Sequence, residues 1–210
     1  MSPRSYRIGK RADSIQQTRA RILGATRELL ARDGYPQLPI DEVARRADVA
    51  RATVYYQFGS KRGLLEAVVA DVQRRAGQQQ VVAAVELADP LQALRRSFEL
   101  GCRFWASEHA LVRKLSGLAA VDPEVGQVLA QAERQRLPLL TRLVERLASA
   151  GHLAAGYSQR QAVDVLWLLS SFQAFDQLFT ARQLPVEEAA GVLFDLAAES
   201  LTQPPSTPTT

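Results

Sequence analysis

Apolar residues recur three and four positions apart along almost the whole chain, and no stretch alternates apolar with polar long enough to predict a strand. The pattern predicts an all-α fold of about nine helices. A first helix starts near Ser14, where Ser14 and Gln17 have capping-box spacing, carries Ile15, Ile22, Ala25, Leu29 and Leu30 on one face, and stops at Gly34. A second carries Ile40, Val43, Ala44 and Ala47 on its buried side, and a third carries Val54, Tyr55 and Phe58. Both are too short to stand alone and must pack on the first. Ser60 is placed to cap a fourth helix with Leu64, Leu65, Val68, Val69 and Val72 inward.

Later helices are marked by their starts. Asp89-Pro90 with Gln92, Asp122-Pro123, Ser158 with Gln161, and Pro185 with Glu187 predict helices over 90–108, 109–119, 123–150, 158–181 and 186–202. Pro138 falls inside the longest of these and predicts a kink or break there. No internal repeat is present.

Residues 40–58 carry the chemistry. They form two short helical segments around a tight turn at Asp48-Val49-Ala50, a helix-turn-helix. Ala44 and Ala47 are small where two helices cross, Val49 plugs the turn, and Val54 and Phe58 anchor the second segment. The outward set, Arg51, Ala52, Thr53, Tyr56 and Gln57, is rich in hydrogen-bond donors, as a helix that reads base edges requires.

The run Val43-Ala44-Arg45-Arg46-Ala47-Asp48-Val49-Ala50-Arg51-Ala52-Thr53-Val54-Tyr55-Tyr56-Gln57-Phe58, continued by Gly59-Ser60-Lys61-Arg62-Gly63-Leu64-Leu65, resembles the TetR family pattern I-A-x-x-A-G-V-S-x-x-T-L-Y-x-x-F-x-x-K-x-x-L. The resemblance covers residues 14–75, the total length and the helical body. It implies a helix-turn-helix head, with a ligand-sensing and dimer-forming body behind it. It also implies that Tyr55 and Lys61 grip phosphates, Lys61 aided by the positive end of the fourth helix, with Arg51, Thr53 and Tyr56 nearest the bases and Ala52 among them on the DNA-binding face. Three positions depart from the pattern. Asp48 stands for glycine at a turn position that calls for positive φ, which Asp tolerates better than most residues. Ala50 stands for the Ser or Thr that caps the recognition helix, removing about 1 kcal/mol of capping and a phosphate-contacting hydroxyl. Pro39 stands for threonine at the start of the second helix.

Charge sharpens this picture. Residues 1–75 hold 15 Lys and Arg against 8 Asp and Glu, a balance of +7, while the remainder is −3 and the whole chain +4. A basic head joined to a slightly acidic body fits a polyanion-binding module with a second task. Residues 1–13, with Arg4, Arg7, Lys10 and Arg11, are expected to form a flexible basic arm that screens phosphates rather than entering a minor groove. Residues 203–210, rich in Pro, Ser and Thr, are expected to be disordered. The basic start runs into Ala12, Asp13 and Ser14 rather than an apolar stretch, and no apolar run is long enough for a membrane span, so a soluble cytoplasmic protein is expected. A lone cysteine, Cys102, excludes an internal disulfide, and with only His109 and His152 beside it no metal or other cofactor site is expected. Arg74-Arg75, Arg95-Arg96 and the series Arg134, Arg136, Arg142 and Arg146 are read as solvated helix faces, and both histidines as polar residues near helix ends.

In the body, Phe98, Cys102, Trp105, Leu118, Trp167, Phe172 and Phe175 are the candidate walls of a small-molecule pocket, with Arg103, Gln173 and Asp176 as conceivable polar members. No effector class follows from them. Two apolar stripes, Val163, Trp167, Ser170, Ala174 and Leu178, then Val186, Ala190, Leu193, Ala197 and Leu201, are expected to pair the last two helices with those of a second copy.

The expected organisation is therefore a basic arm at 1–13, a DNA-binding head at 14–60, a ligand-binding and dimerisation body at 61–202, and a tail. The expected function is a homodimeric repressor that binds a palindromic operator and changes affinity for double-stranded DNA when an unknown small molecule binds. The alternative is a DNA-binding module whose body serves protein interaction without an effector. An enzyme is not expected, because no nucleophile stands with a base and no loop cradles phosphate.

Overall fold

The computed structural model describes the backbone of residues 3–75 and 78–202 and the side chains of 13–75 and 79–202. The tail at 203–210 lies outside the described residues. The chain divides into two compact units, Met1–Val72 with Ala110–Ala132, and Gln73–His109 with Glu133–Thr210. These units differ in their bounds from the division expected at 60/61, since the first takes in residues 61–72 and a segment fifty residues of sequence beyond the expected head.

The first unit holds α1 (Pro3–Asp33), α2 (Ile40–Arg46), α3 (Arg51–Phe58), most of α4 (Lys61–Arg75), and residues 110–132 from two further helices, α7 (His109–Ala119) and α8 (Pro123–Arg134). Helix α1 begins at Pro3, where a flexible arm was expected. Proline fits a first helical turn, and Arg, Lys and Ala propagate one, so Ser14 and Gln17 lie inside the helix and their capping box is not used. Ile15, expected inward, is 46% exposed. Tyr55, also expected inward, is exposed and Val69 is half-buried, while Ile22, Leu29, Leu30, Val43, Val54, Leu64 and Leu65 are buried as predicted. Thr26 is buried too, and its hydroxyl donates to the Ile22 carbonyl at 2.7 Å.

The turn after α2 shows how Asp48 replaces glycine. Asp48 has φ +52, the Val49 amide donates to the Ala44 carbonyl at 3.0 Å, and the Asp48 amide donates to the Arg45 carbonyl at 3.2 Å. This pair of bonds is a Schellman motif, which satisfies carbonyls left open at the helix end and turns the chain sharply.

The second unit holds α5 (Gln78–Val85), α6 (Pro90–Ser107), α9 (Leu137–Ser149), α10 (Gln159–Leu169), α11 (Phe172–Asp176), a π-helical turn (Gln177–Ala181) and α12 (Val186–Leu201). The Asp89 carboxylate caps α6, and Ser158 with Gln161 forms the predicted capping box of α10. The break expected at Pro138 is present, as α8 ends at Arg134 and Pro138 sits in the first turn of α9. Two features depart from expectation. Helix α5 was not predicted, and the single helix expected over 158–181 breaks at Ser170-Ser171, where Ser171 caps α11 through the Ala174 amide.

Arginines read as solvated close both irregularities. Arg136 is largely buried and donates to the Trp167 carbonyl at 3.0 Å and the Ser170 hydroxyl at 3.2 Å, while the Trp105 indole donates to the Ser170 carbonyl at 3.2 Å. Arg146 donates to the carbonyls of Val85, Leu87 and Ala88 at the end of α5, and Arg142 pairs with Glu86. Carbonyls at helix ends have no partner within the helix, so these guanidiniums replace the missing donors.

The α12 stripe named from sequence also needs correcting. Ala190, Leu193, Ala197 and Leu201 are buried within the chain, whereas Val192 and Leu196 face outward. Among the described residues no strand forms; Leu153 and Thr202 make one isolated bridge.

Candidate nucleic-acid interface

Helix α3 is held by its inner face and offers its outer one. Val54 and Phe58 are buried, Arg19 of α1 lies 4.4 Å over the Phe58 ring, and its guanidinium donates to the Gln57 carbonyl at 3.4 Å. On the other side Arg51 and Ala52 are exposed, Thr53 is half-buried, and Tyr56 is 87% exposed. Tyr55, placed on the buried side by the apolar pattern, is 38% exposed and carries the Arg51 guanidinium 5.7 Å from its ring. A row of donors on an eight-residue helix of major-groove width is what direct base readout needs.

The start of α3 is uncapped, as Ala50 implies: its backbone is extended at ψ 147 and no side chain accepts from the first-turn amides. Pro39 likewise gives α2 no side-chain cap. The far end is fixed differently. Gly59, at φ +73, donates to the Tyr55 carbonyl at 2.8 Å, and the Ser60 hydroxyl accepts from the Gly63 amide at 2.9 Å, so α3 stops and α4 starts within three residues.

Lys61 is not free for phosphate alone. Its ammonium donates to the Pro36 carbonyl at 3.1 Å and sits 4.6 Å over the Tyr35 ring, which leaves further N–H donors available outward.

Acidic residues of α2 temper the basic head. Glu42 accepts from Arg45 at 2.6 and 2.8 Å and from Arg46 at 2.8 Å, and these bonds hold its carboxyl at about 2. Asp41 accepts from Nη1 of Arg51 at 2.8 and 3.0 Å. The Tyr55 hydroxyl, and after it Asp41, raises the Arg51 guanidinium above its ordinary value.

Residues 22–68, which include this whole surface, match the family model for bacterial regulatory proteins of the tetR family. Residues 22–68 thus form a head of the tetR-family type. Among curated relatives, the HTH-type transcriptional repressor NicS of Pseudomonas putida is 32% identical over 89 residues, 42% of either chain. An uncharacterised HTH-type transcriptional regulator of Mycobacterium bovis is 26% identical over 184 residues, 87% of either chain. The chain spans less than half the length of the first curated relatives it matches, 48% for TtgW of Pseudomonas putida and 42% for NicS. Solved structures extend the likeness of fold: FadR of Bacillus subtilis in complex with stearoyl-CoA at TM-score 0.72, 18% identity, and 85% of this chain against 97% of that one. Salmonella enterica GusR gives TM-score 0.71 at 22% identity, over 88% of this chain and 95% of that one.

Of the candidate pocket residues, Phe98, Cys102, Trp105, Phe172 and Phe175 are buried in the second unit and Trp167 is half-buried there. Trp105 meets Phe172 edge-on at 5.7 Å, and Phe175 stacks on Phe179 at 5.0 Å. Burial pushes the Cys102 thiol up to about 12, which makes it a poor nucleophile. Leu118 belongs to the first unit, beside Gly34. Arg103 and Gln173 are exposed and do not serve as interior polar groups. Asp176 does: it binds His109 Nε2 at 2.6 Å and accepts from the Thr180 hydroxyl at 2.5 Å, with Phe172 and Phe179 against the imidazole. His109 and Asp176 are 67 residues apart, and no sequence spacing pointed to their pairing. Among the described residues no cluster of His, Cys, Asp or Glu could hold a metal ion, and no helix is long and apolar enough to cross a membrane.

Proposed function

We propose that this chain is a ligand-responsive transcriptional regulator, a repressor that binds a palindromic operator as a homodimer. The observation that carries the reading is α3, anchored by Val54 and Phe58 while Arg51, Ala52, Thr53, Tyr55 and Tyr56 face outward, in a stretch, residues 1–75, whose charge balance is +7. Arg51 is assigned to base edges, Tyr55 and Lys61 to phosphates, and Thr53 and Tyr56 to the groove floor. A dimer supplies two such helices for half-sites about 34–36 Å apart. Its interface is assigned to the last helices, where Leu168 is 66% and Leu196 48% exposed.

The effector is assigned to the aromatic interior of the second unit around Trp105, Trp167 and Phe172. Structures of similar fold contain stearoyl-CoA in FadR and choline in a regulator from Saccharomonospora viridis, which supports a small-molecule role for such a body. A ligand that favours one arrangement of the body over another shifts the population, and DNA affinity with it. Function of this kind places the protein in the cytoplasm with the genome.

The test is selection of duplexes from a random library, followed by gel shifts across a salt series with the selected duplex and a scrambled one. The selected duplex is expected to stay preferred as salt rises, because counterion release weakens both alike. Convergence of the two affinities at moderate salt would refute the reading.

A further inference from the structure

Asp41, like Glu42, is an acid in the first turn of α2, on a head of net positive charge and beside the helix assigned to base reading. Near phosphates a carboxylate costs affinity, so its presence calls for a local benefit. Its geometry supplies one. Both Asp41 oxygens accept from a single nitrogen of Arg51, Nη1, at 2.8 and 3.0 Å. The Nε–Nη2 edge of the guanidinium lies outside that ion pair, and it is one of the two-donor edges that match O6 and N7 of guanine.

The post is rigid where the arm is not. Asp41 follows buried Ile40 and precedes buried Val43 and Ala44, so its backbone is set by the core. Arg51 has a long side chain, 56% exposed, with the Tyr55 ring one turn further along α3 as a lateral support. Left alone, such a side chain samples many rotamers and loses that freedom on binding. Pairing across two helices removes much of it beforehand.

We propose that Asp41 is a specificity-determining positioning residue, which holds Nη1 of Arg51 so that the opposite edge is presented to a guanine. The inference rests on the reading of α3 as the base-reading helix. It makes Asp41 favourable for the right sequence and unfavourable for all others, an effect of opposite sign on two kinds of DNA. A residue that merely neutralises Arg51 acts on both in the same direction.

The experiment measures affinities of D41A and D41N for a duplex selected by the unaltered protein and for a scrambled duplex, with R51A and D41A/R51A in parallel. An exposed ion pair contributes little to folding, so the variants are expected to melt with the parent. Affinity for the selected duplex is expected to fall about tenfold, while that for the scrambled duplex rises. Renewed selection with D41A is expected to lose preference at the one base pair where R51A loses it, and the double variant to be no less selective than R51A. A D41A protein that binds both duplexes more tightly by the same factor, or keeps its base preference, overturns the role of Asp41 while leaving Arg51 as a reader. An R51A protein with intact preference overturns the reading beneath it as well.

Discussion

The Tyr35 hydroxyl donates to Oε2 of Glu124 at 2.5 Å, joining the start of the α1–α2 loop to the first turn of α8 across 89 residues of sequence. Tyr35 is 3% exposed, so the phenol has exchanged water for one carboxylate. Burial, then the bond to Glu124, raises its pKa above the ordinary 10.0. A hydrogen bond to a charged group contributes about 1.5–3 kcal/mol, and Tyr35→Phe is expected to lose that much at neutral pH. The pH dependence has a definite sign. The folded state holds the phenolic proton more tightly than the unfolded state, so the stabilisation is complete below pH 10.0 and declines as pH rises above it. Urea denaturation of both proteins at pH 8 and above 10 checks this: the gap between them should narrow at the higher pH. A constant gap would show that Tyr35 titrates alike in both states.

Gly63 has no room for a side chain. A Cβ there would fall well inside 3.0 Å of the Phe58 carbonyl oxygen, a backbone atom that cannot step aside. Because Phe58 ends α3, the clash has to be relieved by shifting α3 against α4. Gly63→Ala is expected to destabilise by about 2 kcal/mol or more and to lower affinity for selected DNA beyond what the melting shift explains. Gly59→Ala provides the contrast: nothing lies within 4 Å of its Cβ, and only its φ of +73 opposes the change. If Gly63→Ala melted and bound like the parent, the close approach would not be a constraint on the head.

The head was legible in the sequence because its logic is local. Gly59 and Ser60 punctuate the chain, Asp48 fits a positive φ, and the apolar positions of α2 and α4 follow one face. What failed needed partners far away. Helix α5 and the break after α10 depend on donors from Arg146 and Arg136, about 60 and 31 residues off, and periodicity cannot announce such a partner. In α12, Ala189, Val192, Leu193, Phe194 and Leu196 put apolar groups on nearly every side. A helix with apolar groups on several sides does not reveal which side meets its own chain, and the stripe read from the sequence is the one buried within it.

That outer side yields its own prediction. Leu168 on α10, with Val192 and Leu196 on α12, exposes large apolar side chains that a monomer gains nothing by showing to water. If they pair with a second copy, Leu168→Glu or Leu196→Glu will place unpaired charges in a desolvated contact and shift the protein toward monomer. Sedimentation velocity at micromolar concentration reads the change directly. Ala197→Glu, at a buried position, is expected to unfold the chain instead, which separates loss of pairing from loss of fold. Dimers that persist in both leucine variants would assign the interface elsewhere.

Ala50 offers a gain rather than a loss. It occupies the N-cap of α3 with φ −69 and ψ 147, the extended geometry from which a serine hydroxyl reaches a first-turn amide, yet its methyl can accept nothing. Ala50→Ser is expected to add about 0.5–1 kcal/mol of stability. For a chain of this length that corresponds to roughly 1–4 °C in Tm. The same hydroxyl lies at the leading end of α3, where the proposed complex brings a phosphate. Because it carries no charge, it is expected to strengthen binding to selected and scrambled duplexes by a similar factor without changing the salt slope, unlike an added lysine. Stabilisation without any gain in affinity would confine the effect to the helix and place the phosphate beyond the reach of residue 50. A loss of stability would show that the uncapped start of α3 is held by contacts that a hydroxyl disrupts.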